Sequence, residues 1–199
     1  MSTGRLEAFS DGVLAVIITI LVLELKVEAG GPGLAEQLSE QWPVFLAYLV
    51  SFAVVGVIWI QHHALFRLAE RVDKTVLVWN LVLLLAASLL PFAAKAVGGF
   101  VAGELADAHL AILLYGACME LMAIAFTVIL WRLLSAGLTH VAVPVEGIRP
   151  AVLRFGVGTV IYPVIVAIGF VSPVAALVGF GVVVLAYLAE RTPIREQQP

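Results

Sequence analysis

RLEAFSDGVLAVIITILVLELKV, residues 5–27, is the stretch on which the reading of the whole chain turns. Only Gly12 to Leu23 is free of charge, about half of the roughly 20 apolar residues an α-helix needs to cross a hydrocarbon core. A spanning helix must therefore reach back through Asp11, Ser10 and Phe9 to Arg5, which carries a carboxyl about 9 Å inward from the helix start. At that depth Asp11 cannot face lipid without a heavy penalty, so it must face protein or water. Glu7 and Asp11 stand where a cleaved leader would carry basic residues, so the stretch reads as a permanent span.

The rest of the chain implies the same solvent. Of 199 residues, 62% are hydrophobic and 13% charged, and the mean hydropathy is +1.09. A soluble domain is about 45–50% apolar and about 25% charged. The expected fold is an all-α integral membrane protein with six transmembrane helices at about 5–27, 42–66, 75–97, 108–134, 152–170 and 173–189. They form one domain, residues 1–199, without internal repeat. Gly30-Gly31-Pro32-Gly33 is expected to break the first connection, and Gly98-Gly99 with Gly103-Glu104 the third. Pro144 and Pro150 are expected to flank the fourth, and Pro163 to kink the fifth span. The short Ser172-Pro173 link makes the last two spans an antiparallel hairpin.

Lysine and arginine orient the chain, because basic loops stay cytoplasmic. With both termini inside, Arg5, Arg67, Arg71, Lys74, Arg132, Arg149, Arg154, Arg191 and Arg195 fall inside, and only Lys26 and Lys95 outside. This bias predicts a multi-pass protein of the cell membrane with cytoplasmic ends. The outer loops carry Glu24, Glu28, Glu36, Glu40, Glu104 and Asp107, as a solvated surface or a weak attractor of cations.

Several function classes are excluded. A net charge of −3 leaves no basic stripe for nucleic acid. No phosphate loop, His-Glu-x-x-His pair or Gly-x-Ser-x-Gly elbow is present, so no catalytic, cofactor or metal site is expected and the chain is not read as an enzyme. Cys118, the single cysteine, can form no internal disulfide and reads as a small core residue. No Thr-Val-Gly-Tyr-Gly filter occurs, so any potassium preference must be moderate.

Helical rise brings Arg5, Ser10, Asp11, His62, His63, Trp79 and Asn80 to one inner-leaflet layer. There their polar groups can satisfy one another, as a lock between three helices or as a histidine-based pH sensor. Val16, Thr19, Ile20 and Leu23 share one face of the first helix. Alone, that face could simply pack. In several copies around an axis it could enclose a pore, with apolar rings that gate by dewetting and a threonine ring for cations.

Arg5-Leu6-Glu7-Ala8-Phe9-Ser10-Asp11-Gly12, with Thr19-Ile20-Leu21-Val22-Leu23-Glu24, resembles the signature first helix of the transmembrane protein 175 family of potassium channels. His62-His63, Asn80-Leu81 and Pro91-Phe92 are similar to that family's second and third helices; the last three spans match only in being apolar. The resemblance implies a homotetramer in the lipid bilayer with potassium as the permeant monovalent cation and no cofactor. It implies that the first helix lines the pore and that the Phe-Ser-Asp motif holds helices together near the cytoplasmic side. Val16, Thr19, Ile20 and Leu23 then take the pore-lining and gating positions. A proton-coupled transporter using Asp11, the histidines or Glu120 stays open beside the channel, as does a membrane scaffold without a pathway. For Glu120, in the middle of the fourth span, a hydrogen bond to a neighbouring helix is the default expectation.

Overall fold

The computed structural model describes residues 3–27, 29, 33–141 and 144–189, and within them every regular element is a helix. α1 (Thr3–Ile20) winds on as a 3-10 turn, Leu21–Glu24; α2 (Leu34–Glu40) is a short helix just ahead of α3 (Trp42–Phe66). α4 (Lys74–Ser88), α5 (Leu90–Phe100), α6 (Leu105–Ser135), α7 (Val145–Phe155), α8 (Gly158–Gly169) and α9 (Pro173–Ala189) follow. Glu28, Gly30, Gly31, Pro32, Arg191 and Arg195, used above for orientation and boundaries, lie outside the described residues.

Among the described residues five helical segments are long and apolar enough to cross a membrane: Thr3–Glu24, Trp42–Phe66, Lys74–Phe100, Leu105–Ser135 and Val145–Gly169. Pro173–Ala189 is apolar but shorter. The second and sixth expected spans coincide with α3 and α9 and the fourth lies within α6; the first, third and fifth differ. The first loses its α geometry after Ile20 and its helix after Glu24. The third, expected as one helix at 75–97, is α4 plus α5: Pro91 has no N–H to offer the Ala87 carbonyl, and the helix breaks at Leu89. The fifth, expected at 152–170, begins earlier and is broken between Phe155 and Gly158, while the α-helix runs through both Pro150 and Pro163.

Gly98-Gly99 does not end the third span either, since α5 continues to Phe100. A Cβ on Gly98 would stand 2.9 Å from the Val44 Cα, so this glycine serves a close approach of α5 to α3. Small residues that let backbones meet are the usual glue of helices in lipid, where apolar burial alone gains little. The same device recurs at α6 and α8: Gly116 faces Val166, and a Cβ on Gly169 would stand 2.6 Å from Ile112 Cγ2.

α6 is the hub, packed against α4, α5, α7, α8 and α9, whereas α1 lies on α3 and α4. Two polar junctions tie the first helices to this hub. Ser51 on α3 and Tyr115 on α6 share a buried hydrogen bond of 3.0 Å. At the other end Asp73 caps α4, its Oδ1 accepting from the Val76 N–H at 2.9 Å. Its Oδ2 accepts from Arg132 Nε and Nη2 on α6, both at 2.7 Å. The Val76 N–H first, and the Arg132 guanidinium with it, hold the Asp73 carboxyl below its ordinary pKa. Beside this pair the connections after α3 and α6 join in an antiparallel bridge between Ala69 and Thr139.

Candidate functional site

Burial along α1 follows the helical period and gives the helix two faces, both largely apolar. Leu6, Ser10, Leu14, Ile17 and Leu21 are buried against the neighbouring helices. On the opposite side Phe9, Val16, Ile20 and Leu23 are exposed, Val16 at 56% and Leu23 at 68%, with Thr19 among them. Leu23 stays in line although the α-helix ends at Ile20, because residues three apart eclipse one another in a 3-10 turn. Thr19 Oγ1 donates to the Ala15 and Val16 carbonyls at 3.1 and 2.8 Å. Its proton is thereby committed to the backbone, and its lone pairs remain as acceptors. Beside the stripe runs an open, largely apolar groove of about 840 Å³ between α1 and the α4–α5 break. Phe9, Val16 and Ile20 line one wall and Pro91 and Phe92 the other. Glu24 and Lys95, which also border the groove, pair at 3.2 Å.

Beneath the stripe a chain of hydrogen bonds runs through α3, α4 and α1. His62 Nε2 donates to Asn80 Oδ1 at 2.9 Å, Asn80 Nδ2 to Ser10 Oγ at 3.0 Å, and Ser10 Oγ to the Leu6 carbonyl at 3.0 Å. Direction follows from chemistry: the amide oxygen only accepts, so the histidine nitrogen must carry the proton. Ser10 and Asn80 are fully buried and His62 is 1% exposed, with the His62 ring against Phe66 at 4.5 Å. No buried atom of this chain is left stranded among the described residues, so its bonds offset the desolvation and lock three helices together.

The depth argument therefore brings Ser10, His62 and Asn80 together, but not the whole expected layer. Asp11 points to another side of α1 and accepts from Trp59 Nε1 at 3.0 Å. His63 is exposed, 3.8 Å from Glu7 and stacked on Trp59. Arg5, four residues before Phe9, falls on the outward face, and among the described residues no hydrogen bond or ion pair is seen for it. Trp79 is half-buried against the apolar core. Glu120 also departs from expectation: its Oε2 is buried without a hydrogen-bond partner among the described residues. Trp59 and Glu7 escaped the sequence reading, although Asp11 demanded a donor and His63 stands four residues from Trp59. Among the described residues no group of three or more His, Cys, Asp or Glu could hold a metal ion.

Over 195 residues, covering 96% of this chain and 94% of the relative, the sequence is 37% identical to a potassium channel of Streptomyces collinus. The family profile described as "Endosomal/lysosomal potassium channel TMEM175" matches residues 5–91. The chain belongs to the TMEM175 family. A potassium channel of Chryseobacterium is 44% identical over 132 residues, 65% of this chain and 64% of the relative. The fold agrees as well. The crystal structure of a lysosomal potassium-selective channel TMEM175 homolog from Chamaesiphon minutus superposes with a TM-score of 0.82 at 30% identity, covering 94% of this chain and 96% of that one. The profile match coincides with the part that carries the α1 stripe and the His62–Asn80–Ser10 chain, so the TMEM175 region and the candidate site are the same half of the molecule.

Proposed function

We propose that this TMEM175 protein is one subunit of a potassium-preferring cation channel. Copies of α1 surround a central pore, and Val16, Ile20 and Leu23 form apolar rings that gate it. The observation that carries the reading is the stripe itself: large apolar side chains left exposed along the helix whose other face is fully packed. Apolar constrictions of this kind gate by expelling water, and Thr19, with its proton turned back to the helix, offers oxygen to a passing cation. The names of the Streptomyces and Chryseobacterium relatives support potassium as the ion.

In this reading the chain is a single six-span unit, with α9 as the sixth span, in the cell membrane with both termini cytoplasmic and four copies per channel. Its partners are lipid and monovalent cations, and it uses no cofactor. Ser10, His62 and Asn80 hold the inner end of α1 in place, and Asp11 adds a bond to Trp59 on α3. Nothing in the geometry favours a transporter over this channel.

Purified protein in liposomes, with reversal potentials under opposed potassium and sodium gradients, tests the reading. Ile20→Ala and Leu23→Ala are expected to raise potassium flux and lower the preference over sodium. Flux and selectivity unchanged in both variants would remove the rings from the pathway, and no current from any preparation would remove the channel.

A further inference from the structure

Glu120 stands fifteen residues from either end of α6, at the level where a charge is most costly in lipid. Its Oε2 is buried and unpartnered among the described residues. On the facing helix Tyr162 of α8 lies within electrostatic reach of Glu120, and of Tyr187 on α9. Gly158 opens room beside them: a Cβ there would stand 3.2 Å from Tyr162 Cε2 and 3.5 Å from the Tyr187 hydroxyl.

Among the described residues no lysine, arginine or histidine pairs with Glu120. α8 and α9 contain no charged residue, α4 has Lys74 only at its first position, and α5 has only Lys95. α7 brings Glu146, Arg149 and Arg154, all exposed, and Ile148, Val152 and Phe155 are what it packs inward. On α6 itself Tyr115 is bonded to Ser51, Cys118 is buried, His109 lies about 16 Å away along the helix and Arg132 about 18 Å away. Among the described residues one carboxyl and the Tyr162 phenol supply too few oxygens to replace the hydration shell of a metal cation. A proton asks for a single oxygen.

We propose that Glu120 is a proton-binding site separate from the α1 face, a carboxylic acid kept neutral inside the bilayer. It rests on the membrane-spanning reading, not on the pore. A neutral acid reachable from lipid reacts with a hydrophobic carbodiimide. Its proton passes to a carbodiimide nitrogen as a carboxyl oxygen bonds the central carbon, and the adduct rearranges to an N-acylurea with no atom lost.

The whole protein in phosphatidylcholine vesicles is treated with dicyclohexylcarbodiimide at neutral pH, and labelled peptides are located by mass spectrometry. Glu120 is expected to carry most of the label, declining as pH rises, while the water-facing Asp107 and Glu146 stay unmodified. In Glu120→Gln the infrared band of a protonated carboxyl disappears, and potassium flux persists. Glu120 unlabelled, or labelled no more than Asp107 and Glu146, overturns the proposal without touching the channel reading. Flux lost in a Glu120→Gln protein that still assembles overturns the separation from the pore. Labelling of the unaltered protein decides the matter if the variant does not fold.

Discussion

Buried polar groups on α1, α3 and α4 are paired end to end, whereas two on α6, His109 Nε2 and Glu120 Oε2, are left without partners among the described residues. The first group of helices is held by directional bonds from His62 through Asn80 to Ser10. The second closes by backbone approach, with Gly116 and Gly169 admitting Val166 and Ile112. Directional bonds fix the rotation of a helix about its own axis; glycine contacts fix mainly its distance. The helix whose rotation decides where Val16, Ile20 and Leu23 point is thus the one fastened by the specific kind of bond.

Asn80→Leu presses hardest on this contrast. It strands the His62 N–H in a dry interior and removes the bond Ser10 accepts, while Ser10 still donates to Leu6, so the cost is roughly 2–4 kcal/mol. Thermal unfolding in detergent measures it. Replacing the three together, His62→Phe, Asn80→Leu and Ser10→Ala, should recover much of the stability, because no buried donor is then left over, but not the selectivity, because α1 is free to turn.

Gly169→Ala is the matching perturbation in the other group. Its new methyl meets Ile112 Cγ2 and Ala176, so overpacking should cost about 1–3 kcal/mol. Selectivity should be unchanged in this variant. A selectivity change as large as that of the triple variant would erase the distinction between the two groups.

The smallest expected effect is at the junction between them. Asp73→Asn keeps a capping oxygen and loses the Arg132 pair, so about 0–1 kcal/mol is at stake. The same carboxyl predicts a pH dependence. Its pKa is lowered in the folded protein from an unperturbed 3.8. The stability it contributes is therefore present above about pH 4 and is lost as pH falls through the depressed folded value. Melting curves of the protein and of Asp73→Asn should stay apart above about pH 4 and converge only as pH falls through the depressed folded value.

Helix depth was legible in the chain, because each residue rises by a fixed increment; this is why Ser10, His62 and Asn80 could be placed at one level before any contact was known. Azimuth was less so. Arg5, Asp11 and His63 share that level and point elsewhere, and only the packing of α3 against α1 decides that Asp11 meets Trp59. Gly98-Gly99 misled for a related reason: a glycine pair reads as a stop, while its use here is to let α5 touch α3 at Val44. Pro91 carried the signal for the α4–α5 break, and a run of apolar residues on both sides hid it. The setting of Glu120 could not be foreseen, since the approach of Tyr162 depends on how α8 returns past α6.

The 3-10 turn at Leu21–Glu24 has a geometric consequence for the outer end of α1. From Ile20 to Leu23 three steps of 3-10 winding complete a full circle and advance about 6 Å, where three α steps cover about 300° and about 4.5 Å. Rewinding that segment therefore carries Leu23 about 60° around the axis and about 1.5 Å along it while Ile20 stands still. Leu23 can in this way be re-aimed like the last thread of a screw, without shifting the shaft.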